Sequence, residues 1–514
     1  RSVCILIFTG IAVEAEGTEN SVSANENKYE KLKVFSEVLS LIESGYVEKI
    51  ENKTLIEGAI KGLVKVLDPH TSYLPPEAYE EMKVQTSGKF GGLGIEVSIR
   101  DGVLTVVSPI EGTPAFKAGI QAKDKIIKIE DDSTLDMSLS DAVSRLRGEI
   151  GSTVNITIFR EGLNAPLLVK IVRDVVKVQS VKKKIYNNSI GYIKVRSFAK
   201  TTSSDLDKAL AYLKNKNITK LILDVRNNPG GLLNQAVEVS DRFLENENLI
   251  VYTKGRTEDQ NMRFTTHDKT MHVDYPMIIL VNGGSASASE IVAGALQDLG
   301  RAVVLGTSTF GKGSVQNLFD LDRFIRGAGY GQLTLTIGKY YRVTGESTQH
   351  RGVMPDIELP SMVDTEVVGE SNRDTALPWD RIQQTPFLAN VNRGPSIELL
   401  QGRHSERATT DPDFNHLVGG IAAVGTLRNR DAVSLNLAER TMEREQLQEQ
   451  QLARENERRT ALGLEPVAST EELDTTDTTD VLLNQATRVV ADMAAMAIPS
   501  SREIILGLET AMTR

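Results

Sequence analysis

Three glycine-rich turns in this chain carry the side chains and backbone donors that nucleophilic attack on a carbonyl requires. The densest is NGGSASASEIVAGALQD, residues 282–298, which directly follows the apolar run MIILV, residues 277–281. A serine placed where a buried strand gives way to a helix exposes its Oγ. The first helical N–H groups have no intrahelical acceptor there and can bind an oxyanion. Ser285, Ser287 and Ser289 compete for that position, and Ala288 N–H is a candidate donor beside them. Ser287 and Glu290 also satisfy the Ser-x-x-Glu capping box, so plain helix capping accounts for one serine and one glutamate. It leaves the glycine pair before them unexplained.

The second turn, TFGKGSVQ at residues 309–316, sets Lys312 between two glycines. Small neighbours let the backbone carry an amine into a confined space. To act as a base near neutral pH a lysine must lose roughly three pKa units, a cost of about 4 kcal/mol. On its own such a lysine also fits a surface turn. Gln316 lies four residues on, so in an extended segment it shares a face with Lys312 and can orient the amine. The third turn is LDVRNNPGGLL, residues 223–233, again a strand running into glycines. Gly230 and Gly231 can turn N–H groups toward a developing oxyanion, with Ala288 N–H as second donor. In isolation this Pro-Gly-Gly is simply a turn.

The elements around these turns read as an α/β layer. LILDV (221–225), MIILVN (277–282) and AVVLG (302–306) are short, continuous apolar runs expected of strands buried on both faces, and helical patterns follow the first two. Strand, loop and helix in repetition place the chemistry on loops at strand ends. Ahead of this core, Tyr29 to about Leu67 is helical, with Leu32, Phe35, Val38, Leu39 and Ile42 recurring at three and four. Such helices need a partner surface, either a second copy of the chain in a homodimer or the chain's own core. Residues 84–174 change to short apolar alternations: GGLGIEV, GVLTVVSPI, KDKIIKIEDDS, a short helix in SLSDAVSRLR, then VNITIFRE. After Pro360 come a charged helix, TMEREQLQEQQLARENERR, an acidic Thr-rich stretch, EELDTTDTTD, and an apolar helix, VLLNQATRVVADMAAMAI, able to dock back onto the body.

Composition narrows the function classes. With 40% hydrophobic and 25% charged residues the chain is an ordinary globular protein. A net charge of -10 and no long Lys/Arg block argue against nucleic acid as a partner. Cys4 is the one cysteine, and His70, His267, His272, His350, His404 and His416 are scattered without a zinc-type His–Glu pairing. Neither a metal nor another cofactor is expected. The opening RSVCILIFTGIAVEAEG reads as a clipped secretory signal cut near Ala15, and no second apolar run reaches about 18 residues. The expectation is a periplasmic or otherwise exported protein with peripheral or no membrane association.

The strand and helix order of residues 84–174 closely resembles a PDZ domain. In that resemblance Gly91, Gly92, Leu93, Gly94 and Ile95 match the loop that holds a peptide's terminal carboxylate on backbone N–H groups while the peptide adds as a strand. The DVRNNPGG turn, the SASASE elbow and FGKGSVQ, in this order, resemble the core of the carboxyl-terminal processing proteases, also called tail-specific proteases. The resemblance implies that the middle serine, Ser287, is the nucleophile and that Lys312, 25 residues later, is its general base. It further implies an assisting role for Gln316 and a place in the charge relay for Asp298. GQLTLTIGKYYRVTGESTQHRGVMPDI, ALPWDRI, DPDF and VSLN are similar to the longer, periplasmic branch, which has a helical C-terminal extension and uses a lipoprotein adaptor. The region before Lys312 resembles the compact branch.

The fold expected is α/β and α+β multidomain: a clipped signal segment at 1–15, N-terminal helices at 28–83, a PDZ domain at 84–174, a ClpP/crotonase-like protease core at 175–360 and a helical extension at 361–514. The function expected is a serine endopeptidase that cuts exported proteins near a free C-terminus received by the PDZ domain. Two rivals are a catalytically silent PDZ scaffold and an acyl-transfer or hydratase-type enzyme, the latter needing a coenzyme loop that the sequence does not display.

Overall fold

The computed structural model describes residues 19–496 apart from 101, 164, 246, 268–274, 325–328, 364–366, 388–395 and 473–478. The expected signal segment, with Cys4 and the cut near Ala15, lies outside the described residues, as does His272. Among the described residues no helix is long and apolar enough to cross a membrane. The chain divides into two compact units, residues 1–67 with 71–73, and residues 68–70 with 74–514. The first holds helices α1 (Glu19–Gly45) and α2 (Asn52–Lys65). The three-and-four spacing does produce a helix, and Leu32, Phe35 and Val38 of α1 stand exposed. A short strand, β1 (Ser72–Leu74), follows.

The second unit begins with α3 (Pro76–Ser87). Pro76 sits at its first turn, where the missing N–H costs nothing, and Gly88 ends it at φ 68, the left-handed cap that glycine adopts without strain. A β-rich body comes next: β2 (Lys89–Gly92), β3 (Ile95–Arg100), β4 (Val103–Pro109), α4 (Pro114–Lys117), β5 (Lys125–Ile129), β6 (Asp132–Ser133), α5 (Leu139–Leu146), β7 (Thr153–Phe159), β8 (Leu167–Val172) and β9 (Asp174–Lys177). Its antiparallel sheet runs β3-β4-β5-β7-β8. Along β7 every second residue, Val154, Ile156 and Ile158, turns inward onto Leu104, Ile126 and Leu146, the period-two pattern of a sheet with one dry face. β2 pairs with β9, so the chain enters and leaves this body side by side.

The remaining elements build an α/β layer. Six strands lie in the order β10 (Val181–Tyr186), β11 (Ile190–Val195), β12 (Lys220–Asp224), β15 (Met277–Val281), β16 (Val303–Gly306) and β19 (Ile357–Glu358). All neighbours are parallel except β10 and β11. Between them come α6 (Thr202–Lys214), α7 (Leu233–Asp241), β13 (Leu249–Gly255), β14 (Met262–Thr265), α8 (Ala288–Asp298), β17 (Ser314–Asp320) and β18 (Gln332–Tyr341). β14, β13, β18 and β17 are joined in a second, antiparallel sheet.

The continuous apolar runs are explained by burial on two faces. Leu221, Leu223 and Ile279 pack with Leu206, Leu213, Val239, Val292 and Leu296 from α6, α7 and α8. Their sheet neighbours Ile222, Ile278 and Leu280 pack on the opposite face with Leu400, Leu483, Ala486, Val489 and Val490. Those partners belong to α9 (Ile397–Ala408) and α12 (Val481–Met496), on either side of α10 (Pro412–Arg428) and α11 (Leu437–Ala461). Fully burying a side chain such as Val489 stabilises by about 1.5–3 kcal/mol. The C-terminal helices are therefore the second cover of the parallel sheet.

Candidate active site

Three loops at the carboxyl ends of β12, β15 and β16 are bonded pairwise into one constellation. Ala286 N–H donates to Asn228 O (3.0 Å), and Phe310 N–H donates to Ser285 O (3.0 Å). Asn227 and Asn282 exchange two hydrogen bonds, Asn227 N–H to Asn282 Oδ1 and Asn282 Nδ2 to Asn227 Oδ1, each 2.9 Å. The first turn, the serine elbow and the lysine turn are thereby held as a unit.

The three serines separate by what their hydroxyls do. Ser285 Oγ donates to Val225 O (2.8 Å) and Ser289 Oγ to Asn228 O (2.9 Å), both fully buried. They hold the loop. Ser287 is half-buried at the mouth of α8, with φ 55 and ψ -110. A non-glycine residue in such a conformation costs on the order of 1–3 kcal/mol and persists only when its surroundings impose it.

What imposes it is Glu290, one turn into α8. Its Oε2 accepts the N–H of Ser287 (2.7 Å) and the N–H of Lys312 (3.0 Å). Its Oε1 accepts Gly311 N–H (2.7 Å) and the Thr309 hydroxyl (2.6 Å). The backbones of Ser287 and Lys312 therefore lie no farther apart than the two legs to one shared oxygen allow. Glu290 is fully buried, and that burial pushes its pKa up to about 7 against the downward pull of its four donors. The hydroxyl of Tyr340, from β18, adds a second tie. It stands between Ser287 O (3.2 Å) and Lys312 O.

Lys312 is half-buried, and its Nζ donates to Gln316 Oε1 at 2.7 Å. Gln316 Nε2 passes the chain on to Ser314 Oγ (2.9 Å) and Thr336 Oγ1 (3.0 Å), and Thr336 Oγ1 donates to Asp68 Oδ1 (3.0 Å). Desolvation lowers the amine's pKa below the ordinary lysine range. Glu370, Glu290 and Asp68 oppose this, and Arg373 assists it. A brace of side chains closes the other side of the turn: Gly313 N–H donates to Gln349 Oε1 (2.8 Å), Gln349 Nε2 to Glu370 Oε1 (3.1 Å), and Glu370 bonds His70 Nε2 at 2.8 and 2.9 Å.

Gly230 and Gly231 adopt φ 102 and 142, and space requires glycine at both. A Cβ on Gly230 would sit 2.7 Å from Ala286 O and 2.9 Å from Ser287 Cβ; one on Gly231 would sit 2.3 Å from Phe198 O. Gly230 N–H already donates to Asn228 Oδ1 (2.9 Å). Among the described residues no acceptor is assigned to the N–H of Gly231 or of Ala288.

Asp298 is not brought to this place. It ends α8, eleven residues or about 16 Å along the helix from the elbow, and pairs with Arg342 (Nε to Oδ2 2.9 Å, Nη2 to Oδ1 2.5 Å). In the β-rich body, Gly91 and Gly92 are taken up in the β2–β9 ladder. Leu93 is buried, and Gly94 has φ 75 with Thr113 so close that a Cβ would meet it at 2.3 Å. Ile95 then opens β3, the edge strand of its sheet, whose outer side can accept an added strand.

Sequence reasoning read Glu290 only as a capping partner and passed over Tyr340, Thr336, Asp68, Glu370 and Gln349. For Glu290 the signal was its place three residues after Ser287; the others carry no local signal, because their partners are dozens to hundreds of residues away.

Residues 189–359 match the family model for peptidase family S41, and residues 91–171 that for the PDZ domain. Residues 363–495 match the C-terminal domain of tail specific protease, and residues 8–78 the activating protease CtpB N-terminal domain. A carboxy-terminal-processing protease of Bartonella bacilliformis is 43% identical over 343 residues, covering 66% of this chain and 77% of the relative. The carboxy-terminal processing protease CtpA of Bacillus subtilis is 34% identical over 346 residues, covering 66% and 72%. The tail-specific protease of Haemophilus influenzae is 30% identical over 462 residues, covering 85% of this chain and 65% of that protein.

Proposed function

We propose, for a chain that belongs to the carboxy-terminal processing proteases of peptidase family S41, that peptide hydrolysis runs through Ser287 as nucleophile and Lys312 as general base. What carries this reading is the single buried carboxylate of Glu290, which receives the backbone N–H groups of both residues. A strained serine and a desolvated lysine held by one anchor are a nucleophile and a base at fixed separation.

In the proposed sequence, neutral Lys312 takes the proton from Ser287 Oγ as the oxygen attacks the substrate carbonyl. The charge that develops on the carbonyl oxygen is met by the N–H groups of Ala288 and Gly231, while Gly230 supplies the turn that brings Gly231 there. Lys312, now an ammonium, returns its proton to the departing amine, and the acyl group stays on Ser287. A water deprotonated by Lys312 then releases the acyl group and restores the serine. Gln316 holds the amine in place through the 2.7 Å bond to Nζ. Asp298, engaged with Arg342, has no part in these steps.

The substrate class proposed is an exported protein with a free C-terminus. Its terminal carboxylate would settle on the backbone at Leu93, Gly94 and Ile95 and its last residues would add alongside β3. Incubating an exported protein that has an unstructured tail with wild type, Ser287→Ala and Lys312→Ala, then mapping the products by mass spectrometry, tests the reading. Cuts near the tail should appear with wild type and vanish with either variant. Full cleavage by Ser287→Ala or Lys312→Ala overturns it.

A further inference from the structure

The turn that carries Gly230 and Gly231 is tied to the C-terminal helical region by one side chain that the proposed chemistry does not use. Arg226 leaves the end of β12 and is gripped from two sides. Toward the sheet, Asp224 accepts its Nε (3.0 Å) and Nη2 (2.6 Å). Toward the C-terminal region, Asp480 accepts its Nη1 (3.1 Å) and Nη2 (2.6 Å) in a forked pair. Asp224 is fully buried and also accepts the Tyr192 hydroxyl (2.8 Å), so its position is fixed by the sheet. The second grip depends on where α12 begins, because Asp480 immediately precedes that helix and caps it, its Oδ1 accepting Leu483 N–H (3.0 Å).

From Arg226 onward the chain has little freedom of its own to hold the turn. Asn227 has φ 57, a left-handed conformation that asparagine adopts more readily than most residues, and it is bonded to Asn282. Asn228 O receives Ala286 N–H and the Ser289 hydroxyl, and Asn228 Oδ1 receives Gly230 N–H. The turn that brings Gly230 against Ser287 thus begins at a guanidinium whose outer grip comes from residue 480.

We propose that Asp480 is a positioning residue of the active site, setting the 227–231 turn through Arg226, so that one side chain of the C-terminal helical region supports the catalytic turn. The proposal rests on the reading that Gly231 and Ala288 hold the oxyanion. With Asp480 replaced by Asn, the oxygen that caps α12 can still accept Nη1, but the charge and the acceptor of Nη2 are lost and the outer grip on Arg226 weakens. Displacement of the turn by even 1 Å weakens a donor that acts on the transition state far more than on the bound substrate. The loss should therefore fall on kcat and spare KM.

The chemistry of the cap makes the test clean. Asp480→Asn keeps an oxygen able to cap α12, since Asn and Asp are equivalent N-caps, but it removes the charge that grips Arg226. Val489→Ala trims apolar contact between α12 and the sheet more than two turns from the pair and leaves the start of the helix in place. On the full-length protein, with a peptide substrate, Asp480→Asn should lower kcat by about 10- to 100-fold with KM within about twofold of wild type. Val489→Ala, assayed well below its Tm, should keep wild-type kcat. Wild-type kcat in Asp480→Asn overturns the proposal, as does an equal kcat loss in Val489→Ala, which would mean that the docking of α12 alone matters. Ser287→Ala in the same assay keeps the claims apart. Activity surviving there overturns the nucleophile assignment, whereas wild-type kcat in Asp480→Asn overturns only the role of Asp480.

Discussion

At the scale of single residues the site is organised around a carboxylate rather than around its serine. Glu290 accepts four donors, and two of its bonds converge on one oxygen. Replacing it by glutamine puts an NH2 group where either Ser287 and Lys312 or Gly311 and Thr309 present donors, so two donors lose their acceptor and face another donor. Glu290→Gln should lower kcat by about 100-fold or more, from the dispersal of both proposed catalytic groups. Steady-state kinetics checks this, and a loss under about threefold would mean that the hub is dispensable. The same carboxylate and the lysine set the pH response. As the proposed base, Lys312 must be neutral to act, so turnover should rise with pH and level off below the ordinary lysine range, because burial lowers its pKa. The hub must be ionised to accept its donors, so activity should also fall as pH drops through about 7. For stability the sign for Glu290 is the reverse. Its folded pKa lies above its unfolded one, so its contribution is present below about pH 4.3 and lost as pH rises through about 7. A pH–rate profile flat from 5 to 9 would contradict both assignments.

At the scale of elements, what the sequence could show was set by separation along the chain. Lys312 and Gln316, four residues apart, do meet in a 2.7 Å hydrogen bond, although β17 begins only at Ser314 and its pairing shifts between Val315 and Gln316. The runs LILDV and MIILV read correctly as doubly buried strands because their register needs no alternation. Asp298 shows the opposite case. It was picked out by resemblance, and its side chain is spent on Arg342 from a distant strand. The ties from Tyr340, Thr336 and Asp68 were invisible for the same reason. The loop before β3 gives a prediction at this scale. Gly94→Ala would force a Cβ to 2.3 Å from Thr113 at φ 75, and the loop must shift. Fluorescence anisotropy should then show weaker binding of a peptide with a free C-terminus, while its amidated form binds poorly to both wild type and variant. Equal binding of the free and amidated peptides to wild type would remove the carboxylate from the account.

At the scale of the whole molecule, the apolar pattern after Pro360 suggested docking onto the body, but it could not say on which surface. α9 and α12 cover the face of the parallel sheet that α6, α7 and α8 leave open. Periodicity names an apolar face; it does not name what covers it. The cover should be a large part of the core's stability. Leu483→Ala, at a side chain 4% exposed, should cost about 2–3 kcal/mol and lower the Tm of the transition that melts the parallel sheet. An unchanged Tm would mean that the sheet stands without α12. The proposed nucleophile and base are held at one carboxylate, and the most direct measurement of that proposal is covalent. A fluorophosphonate probe, followed by peptide mapping, should label Ser287 in wild type and leave Lys312→Ala essentially unlabelled over the same time. Label on Ser285 or Ser289, or labelling of Lys312→Ala at the wild-type rate, would contradict the account.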